Sequence, residues 1–301
     1  MKDTNFKLLI DKIVQIIFMI ISLICASFII FIIFFILLQG VRPFVIKYPN
    51  NETASLFKFL FSINYDNKTY GILGLVINTL FIVFIASLIS LPLSVLTALF
   101  IVRIAPIKIS KVMESIVELL ASIPSIIFGL FGVGFINPVI RDFALLFNLQ
   151  TAGGVSVLST IIVLIMMITP TITLLSITSM KAVKDDTILA SLALGASKTQ
   201  TDFKIVVNGA KSGIFAALIL GIGRALGEAT AVSMVCGGAK TISILLFSPT
   251  GTLTSTMMQG FHESSGINYD IRFSIGIVLI LIILISNVLL NLLKKRLCRY
   301  E

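Results

Sequence analysis

Charged residues are scarce in this chain. Only 12% of its 301 residues are charged, whereas a soluble domain carries roughly 25%. So few charges cannot cover a globular surface in water, and 57% of the residues are hydrophobic. Lipid must therefore face much of the protein. This composition predicts an all-α membrane protein that crosses the bilayer several times.

Residues that carry catalysis or bind metals are also few. His262 is the only histidine, and no nucleophile–base–acid set or metal-ligand spacing accompanies it. The three cysteines, Cys25, Cys236 and Cys298, contain no CxxC pair, so they indicate neither a disulfide framework nor a zinc site. We therefore expect no catalytic residue, no metal ion and no cofactor.

Nucleotide-binding motifs are missing as well. Residues 234–241 imitate the end of a P-loop, but the glycine before Lys240 and the opening glycine are both absent. Gly221, Gly223 and Gly227 miss the spacing of the dinucleotide fingerprint by one residue. We expect no ATPase site of the chain's own.

Long apolar runs are what the sequence does contain. A spanning helix needs about 20 apolar residues, and six stretches qualify. They divide the chain into a first helix with an outer loop (1–71), a transmembrane domain (72–293) with a cytoplasmic loop (181–213), and a basic tail (294–301). The six predicted spans are 13–38, 72–102, 116–136, 155–180, 214–236 and 273–293.

The positive charges predict the orientation of these spans. The formal net charge is +9, and the charges lie in short segments between apolar runs, which favours topology signals over nucleic-acid binding. The side that holds both termini carries about twice as many Lys and Arg residues as the opposite side, so it should be cytoplasmic. We predict a multi-pass protein with both termini in the cytoplasm.

The cytoplasmic loop 181–213 contains an amphipathic pattern. Leu189, Leu192, Ala193 and Ala196 follow one another at i, i+3, i+4 and i+7, which places them on one face of a helix that Gly195 interrupts. Such a helix can be a passive connector, or it can dock a soluble partner in a groove. The spacing alone favours neither interpretation.

Two charges lie inside the fifth predicted span. Arg224 and Glu228 are four residues apart, so they can meet on one helix face. A charge near the centre of a bilayer costs roughly 2.5–3.5 kcal/mol on insertion scales. The pair is either an ion pair that joins two helices or a polar point in a substrate path, where the guanidinium fork would suit an oxyanion.

The third predicted span contains a proline between two serines. Pro124, flanked by Ser122 and Ser125, removes a helix hydrogen bond and bends the segment. The bend can be a simple kink, or it can mark one of the broken helices that line transport paths.

Three segments in consistent order resemble a known family. Residues 223–235 (GRALGEATAVSMV) look like the signature of phosphate ABC-transporter permeases of the PstC type. Residues 118–132 (ELLASIPSIIFGLFG) and 165–172 (IMMITPTI) are similar to further segments of that family. The resemblance runs from about Tyr70 to the C-terminus.

The resemblance implies a fold, partners and roles for residues. The fold is that of a type I ABC importer permease with six transmembrane helices in the bacterial inner membrane. The partners are a second phosphate permease, two ATP-binding cassette ATPases and an extracytoplasmic phosphate-binding protein. The substrate path would contain Arg224, Glu228, Ser122, Pro124 and Ser125, and the surface that couples to the ATPase would contain Leu189, Leu192, Gly195, Ala196 and Ile205.

The coupling motif of ABC importer permeases is only partly present. Gly195 and Ile205 keep its spacing, but Leu189-Ala190-Ser191 replaces its E-A-A segment. The alternatives to a phosphate permease are a permease for another oxyanion, such as sulfate or molybdate, and an ion-coupled secondary carrier. A secondary carrier would need inverted repeats and more intramembrane carboxylates than the sequence shows.

Overall fold

The protein is helical, as its composition predicts. The computed structural model describes residues 2–48, 53–66 and 69–297, and no named strand occurs within them. Three π-helical turns, Phe100–Ile104, Gly132–Ile136 and Asp202–Val206, extend or join helices. The helices are α1 (Lys2–Val45), α2 (Leu56–Phe61), α3 (Leu73–Leu99), α4 (Ile107–Ser122), α5 (Ser125–Phe131), α6 (Asn137–Leu146), α7 (Val157–Lys181), α8 (Asp185–Ala193), α9 (Lys198–Thr201), α10 (Val207–Gly209), α11 (Lys211–Gly227), α12 (Thr230–Val235), α13 (Leu253–Met258) and α14 (Ile267–Leu297).

Among the residues that the structure describes, five helical stretches are long and apolar enough to span a membrane. A sixth is added if the bent pair Lys198–Gly209 and Lys211–Gly227, which meet at 62°, is taken as one span. The predicted spans 13–38, 72–102, 155–180 and 273–293 each overlap one of the five, with ends that differ by at most seven residues. The five stretches are Asp11–Val45, Leu73–Ile104, Ser125–Leu146, Val157–Lys181 and Ile267–Leu297.

The predicted third span has the wrong boundaries. We expected one bent helix over 116–136, but α4 ends at Ser122 and α5 begins at Ser125. Ile123 is extended (φ −62°, ψ 128°), because the ring of Pro124 disfavours helical backbone in the residue before it. The spanning stretch therefore starts at Ser125 and runs to Leu146, while α4 is a separate helix that packs against α7.

The predicted fifth span is also divided. We expected a continuous helix over 214–236, but α11 ends at Gly227 and α12 begins at Thr230. Glu228 between them has extended backbone (φ −74°, ψ 114°). The two charged residues of this segment thus lie on opposite sides of the end of α11.

Helices α3, α7 and α11 form the centre of the protein. They pack on one another closely because small residues face large ones, as where a Cβ at Gly221 would meet the side chain of Ile172. The hydroxyl of Ser94 in α3 donates to the backbone carbonyl of Thr169 in α7 at 3.1 Å. This arrangement fixes α11, which carries Arg224, against α7.

Helix α1 packs against α14 near its C-terminal end. Ser274 donates a 2.6 Å hydrogen bond to the backbone carbonyl of Gly40, and the rings of Phe35 and Phe273 meet edge to face with centroids 5.7 Å apart. The apolar side chains between residues 13 and 34 are exposed in the isolated chain. Their surroundings are therefore lipid or another transmembrane chain.

The segments on either side of α2 contact the N-terminal end of α14. The Tyr48 hydroxyl donates to Asp270 at 2.5 Å, and the Tyr70 hydroxyl donates to Asn268 at 2.8 Å. Burial, reinforced by the bond to Asp270, raises the pKa of Tyr48 well above its usual value. These contacts hold the segment between α1 and α3 on the same end of the protein as the loop before α14.

Candidate functional site

Arg224 lies in the last turn of α11 and is half-buried. Its Nη1 donates a 2.7 Å hydrogen bond to the Oγ1 atom of Thr171. Thr171 follows Pro170 in α7, and α7 continues through this proline without a break. The close approach of α7 and α11 at Gly221 brings the guanidinium within reach of this hydroxyl. A charge-assisted hydrogen bond therefore holds the arginine in place.

Open space lies over two glycines on the face of α11 that carries Arg224. A Cβ atom built at Gly223 or Gly227 would meet nothing within 4 Å. These two glycines share the face of α11 that carries Arg224 and the exposed Leu220, because the spacing is i, i+3, i+4 and i+7. Thr171 is the only hydrogen-bond partner of Arg224 among the described residues. The remaining N–H donors of the fork are available to a ligand on this face.

The prediction that Arg224 contacts Glu228 is wrong. The ion pairs of residues 2–48, 53–66 and 69–297 do not include it, because the helix that would align the two residues ends at Gly227. The buried carboxylate of Glu228 instead accepts a 2.9 Å hydrogen bond from the backbone N–H of Ala231. Its backbone carbonyl accepts one from Thr254 at 2.7 Å. Glu228 therefore caps the start of α12, whose first amides lack helical partners.

The serines around Pro124 lie apart from Arg224. Ser122 is exposed and donates to the carbonyl of Leu119 in its own helix, while the half-buried Ser125 begins α5. Within the described part of the chain, no hydrogen bond or ion pair joins either serine to Arg224 or Glu228. The link is indirect, because α5 packs against α12, where a Cβ at Gly129 would meet Met234 and Ala231.

In the coupling segment, defined here as residues 185–209, the first helix is shorter than the amphipathic pattern predicts. Helix α8 ends at Ala193 and Gly195 adopts a left-handed conformation (φ +85°), which turns the chain before Ala196. Leu189 and Ala196 therefore do not share one helix. Leu192 is half-buried and Ile205 is partly buried, whereas Leu189 is 62% exposed and Leu194 is 90% exposed.

Two ion pairs join helices at this end of the protein. Arg103 Nε lies 2.8 Å from Asp202 Oδ1, which ties the extension of α3 to the coupling segment. Lys181 Nζ lies 2.6 Å from Glu114 Oε1, which ties α7 to α4. The coupling segment is thus attached directly to α3 rather than suspended by its own loops.

Thr171, Leu194 and the pair Arg103–Asp202 were not predicted from the sequence. Thr171 was visible as a hydroxyl next to a membrane proline, and such hydroxyls bond across helices. Leu194 does not fit the helical spacing, because it lies at the turn. The partners Arg103 and Asp202 are 99 positions apart, and no local pattern relates them.

Comparison with known proteins shows the family to which the chain belongs. Residues 90–299 match the family described as binding-protein-dependent transport system inner membrane component. The chain belongs to this family. It is 31% identical to the probable ABC transporter permease protein YqgH of Bacillus subtilis, over 87% of this chain and 84% of that protein. It is 30% identical to the probable phosphate transport system permease protein PstC of Methanocaldococcus jannaschii, over 96% of each chain.

Solved structures show the same fold. A bacterial ABC transporter that imports the acidic polysaccharide alginate superimposes with a TM-score of 0.64 and 18% identity, over 93% of this chain and 96% of that chain. The MetNI methionine ABC transporter superimposes with a TM-score of 0.57 and 17% identity, over 75% of this chain and 95% of that chain. The protein is therefore a multi-pass permease subunit of an ABC importer with the type I fold, as the resemblance implied.

Proposed function

We propose that this permease is the PstC-like subunit of an ATP-driven importer of inorganic phosphate. The observation that carries the proposal is Arg224, half-buried in a membrane helix, held by Thr171 and facing open space over Gly223 and Gly227. The similarity to proteins named PstC supports the choice of phosphate among oxyanions.

The chemistry of phosphate fits this arginine. Phosphate near neutral pH carries between one and two negative charges, since its second ionisation occurs close to neutral pH, and its desolvation in a membrane is unfavourable. The planar guanidinium can bind two phosphate oxygens at once, which lysine cannot do. In this proposal Arg224 is the cation that faces the ion, and binding by a single cation stays weak enough for release. Glu228, in this proposal, acts as a positioning residue that holds the joint between α11 and α12 beside the path.

The partners follow from the same proposal. A second phosphate permease would complete the path, an extracytoplasmic binding protein would deliver phosphate, and two ATPase subunits would hydrolyse ATP. The permease itself would hydrolyse none. The exposed Leu189, Leu194 and Phe203 are the large apolar residues of the coupling segment that an ATPase groove would receive. Leu192, Gly195, Ala196 and Ile205 would shape and support that surface.

The path also includes the broken segment at Pro124 in this proposal. Ser122 and Ser125 stand on either side of the break between α4 and α5, where the spanning stretch begins, and broken helices often line transport paths. The membrane would be the bacterial cytoplasmic membrane, with both termini on the cytoplasmic side.

A permease for another oxyanion is the alternative. Sulfate and molybdate offer similar oxygens to a guanidinium, and similar folds serve methionine and alginate importers. Uptake of labelled phosphate by proteoliposomes of the assembled complex, with sulfate and molybdate as competitors, separates these substrates. Uptake of sulfate or molybdate in preference to phosphate would overturn the proposed substrate.

The role of Arg224 is tested by substitution in the same assay. We expect Arg224→Ala to reduce phosphate uptake per assembled complex by at least about tenfold, as expected for loss of a hydrogen bond to a charged group. Arg224→Lys should fail substantially too, since it keeps the charge but loses the fork. Arg141→Ala is the matched control, because Arg141 is exposed and pairs only with its neighbour Asp142. Near-normal uptake by assembled Arg224→Ala would remove Arg224 from the path.

A further inference from the structure

Two grooves meet at the first turn of α11, at the end of the protein that carries the coupling segment. One is basic, has a volume of about 500 Å³, and lies between α11 and the end of α14. The other is apolar, has a volume of about 320 Å³, and lies between α11 and α3. Ser212 lines the first groove and Lys211, the residue before it, lines the second, so both grooves reach the first turn of α11.

The basic groove lies at the boundary of the membrane. Helix α14 has 31 residues, or about 46 Å of helix, against about 30 Å of hydrocarbon. Its residues 273–293 carry no charge, and Lys294 and Lys295 follow directly. Together with Asn291 they line the groove on one face of the helix. Neither lysine forms an ion pair within the portion of the chain that the structure describes.

The neighbouring groove has the character of an acyl-chain site. Leu91, Val95, Ile214 and Phe215 line it, and its surface is wholly apolar. Lys211 is the one charged residue at its wall, and a lysine there can lay its apolar stem along the groove. An apolar channel beside a basic one, at the level of the headgroups, matches the two parts of a phospholipid.

We propose that an anionic phospholipid of the inner leaflet binds at this position. Its phosphate lies in the basic groove against Lys294 and Lys295, with Ser212 and Asn291 as hydrogen-bond donors, and an acyl chain lies in the apolar groove along α3. An acidic surface of a soluble partner would satisfy the lysines, but it would leave the apolar groove empty. Free phosphate would likewise occupy the basic groove alone.

Native mass spectrometry of the full chain tests the proposal. The purified, delipidated protein is titrated with dioleoyl phosphatidylglycerol or dioleoyl phosphatidylcholine. We expect tighter binding of phosphatidylglycerol, and about 30-fold weaker binding of it by K294Q/K295Q, roughly fivefold for each charge near a membrane surface. K108Q/K111Q is the matched control, because these exposed lysines on α4 lie at the same end of the protein but line neither groove. That control should bind like the unchanged protein.

A second variant and a competing ligand show whether the bound phosphate group belongs to a lipid or to free inorganic phosphate. Val95→Phe, which fills the apolar groove, should weaken phosphatidylglycerol binding while the lysines remain. Millimolar inorganic phosphate should not displace the lipid. Equal binding of phosphatidylcholine, unchanged binding by K294Q/K295Q or by Val95→Phe, or displacement by inorganic phosphate would each overturn the proposal. Circular dichroism and gel filtration confirm that each variant folds, and none of these outcomes bears on the role of Arg224.

Discussion

At the scale of single residues, the pairing of Arg224 with Thr171 explains how a cation persists in a membrane helix. A lone guanidinium in hydrocarbon is costly, and a hydroxyl on the facing helix satisfies one donor without neutralising the charge. A carboxylate partner would cancel that charge and compete with an anionic substrate. The observed hydroxyl partner leaves the arginine positive and so suited to an anion.

Thr171→Val should therefore impair transport. Valine keeps the shape of threonine but cannot accept the hydrogen bond, so the guanidinium loses its position. We expect phosphate uptake per complex to fall by about tenfold, the effect of one lost hydrogen bond to a charged group, and Thr171→Ser to retain most of it. Thr178→Val is the control on the same helix, since Thr178 bonds only to the carbonyl of Leu174. Equal uptake by the two valine variants would contradict this role of Thr171.

The sequence identifies the charged residues of this site but not their partners. Arg224 and Glu228 stand out because charges are rare in apolar runs. Their predicted contact assumed a continuous helix, and no proline or other local breaker occurs between Gly227 and Thr230. The break is accompanied by tertiary contacts, above all the hydrogen bond from Thr254 to the carbonyl of Glu228, across 26 positions. The spacing of residues along a helix does not predict such contacts.

At the scale of helices, the attachment of the coupling segment to α3 is the notable feature. Arg103 and Asp202 each lie in a π-helical turn, and their ion pair joins the two turns. Asp202 is 8% exposed, so the pair is shielded from solvent more than an ordinary surface pair. A displacement of the segment by an ATPase would reach α3 directly through this contact.

Reversing one charge of this pair should uncouple the transporter. In Arg103→Asp two carboxylates face each other, and we expect fewer phosphate ions transported per ATP hydrolysed by the complex. The double variant R103D/D202R should recover much of the ratio, because it restores opposite charges. Lys198→Asp, an exposed charge reversal in the same segment, should leave the ratio unchanged. A ratio that stays normal in assembled Arg103→Asp would exclude this transmission role.

Helix boundaries were predictable only where a local cause exists. Proline predicts a bend at residue 124, and the structure shows a complete break there, because Ile123 is also extended. Gly195 predicts an interruption, and the helix ends two residues before it. The position of Asp202 against Arg103 depends on the packing of distant helices, so the spacing of residues in the sequence does not predict it.

At the scale of the whole molecule, the first helix lies outside the part of the chain that matches the family. The family match begins at residue 90, after α1, which packs along α14 and exposes its apolar side chains between 13 and 34. Spans could be predicted from composition because lipid requires long apolar helices. The arrangement of the spans relative to one another could not be predicted, since apolar faces in lipid do little to specify which helices pack together.

The proposed topology has a direct test. In a variant whose native cysteines, including Cys298 outside the described residues, are replaced, single cysteines are introduced at Ser197 in the coupling segment and at Ser265 before α14. Both positions are exposed. An impermeant maleimide should label intact cells only at position 265, and permeabilised cells at both. Labelling of intact cells at position 197 would reverse the orientation.

The π-helical turns have a consequence for the history of the chain. Such a turn closes its hydrogen bond one residue later than an α-helical turn, so removal of one residue restores an α-helical turn and changes the direction in which the side chains within that turn point. A deletion within Phe100–Ile104 or Asp202–Val206 would therefore alter the alignment of Arg103 with Asp202. A compensating change at the other turn could realign them. Among relatives, alignment gaps at these two places should thus be inherited together.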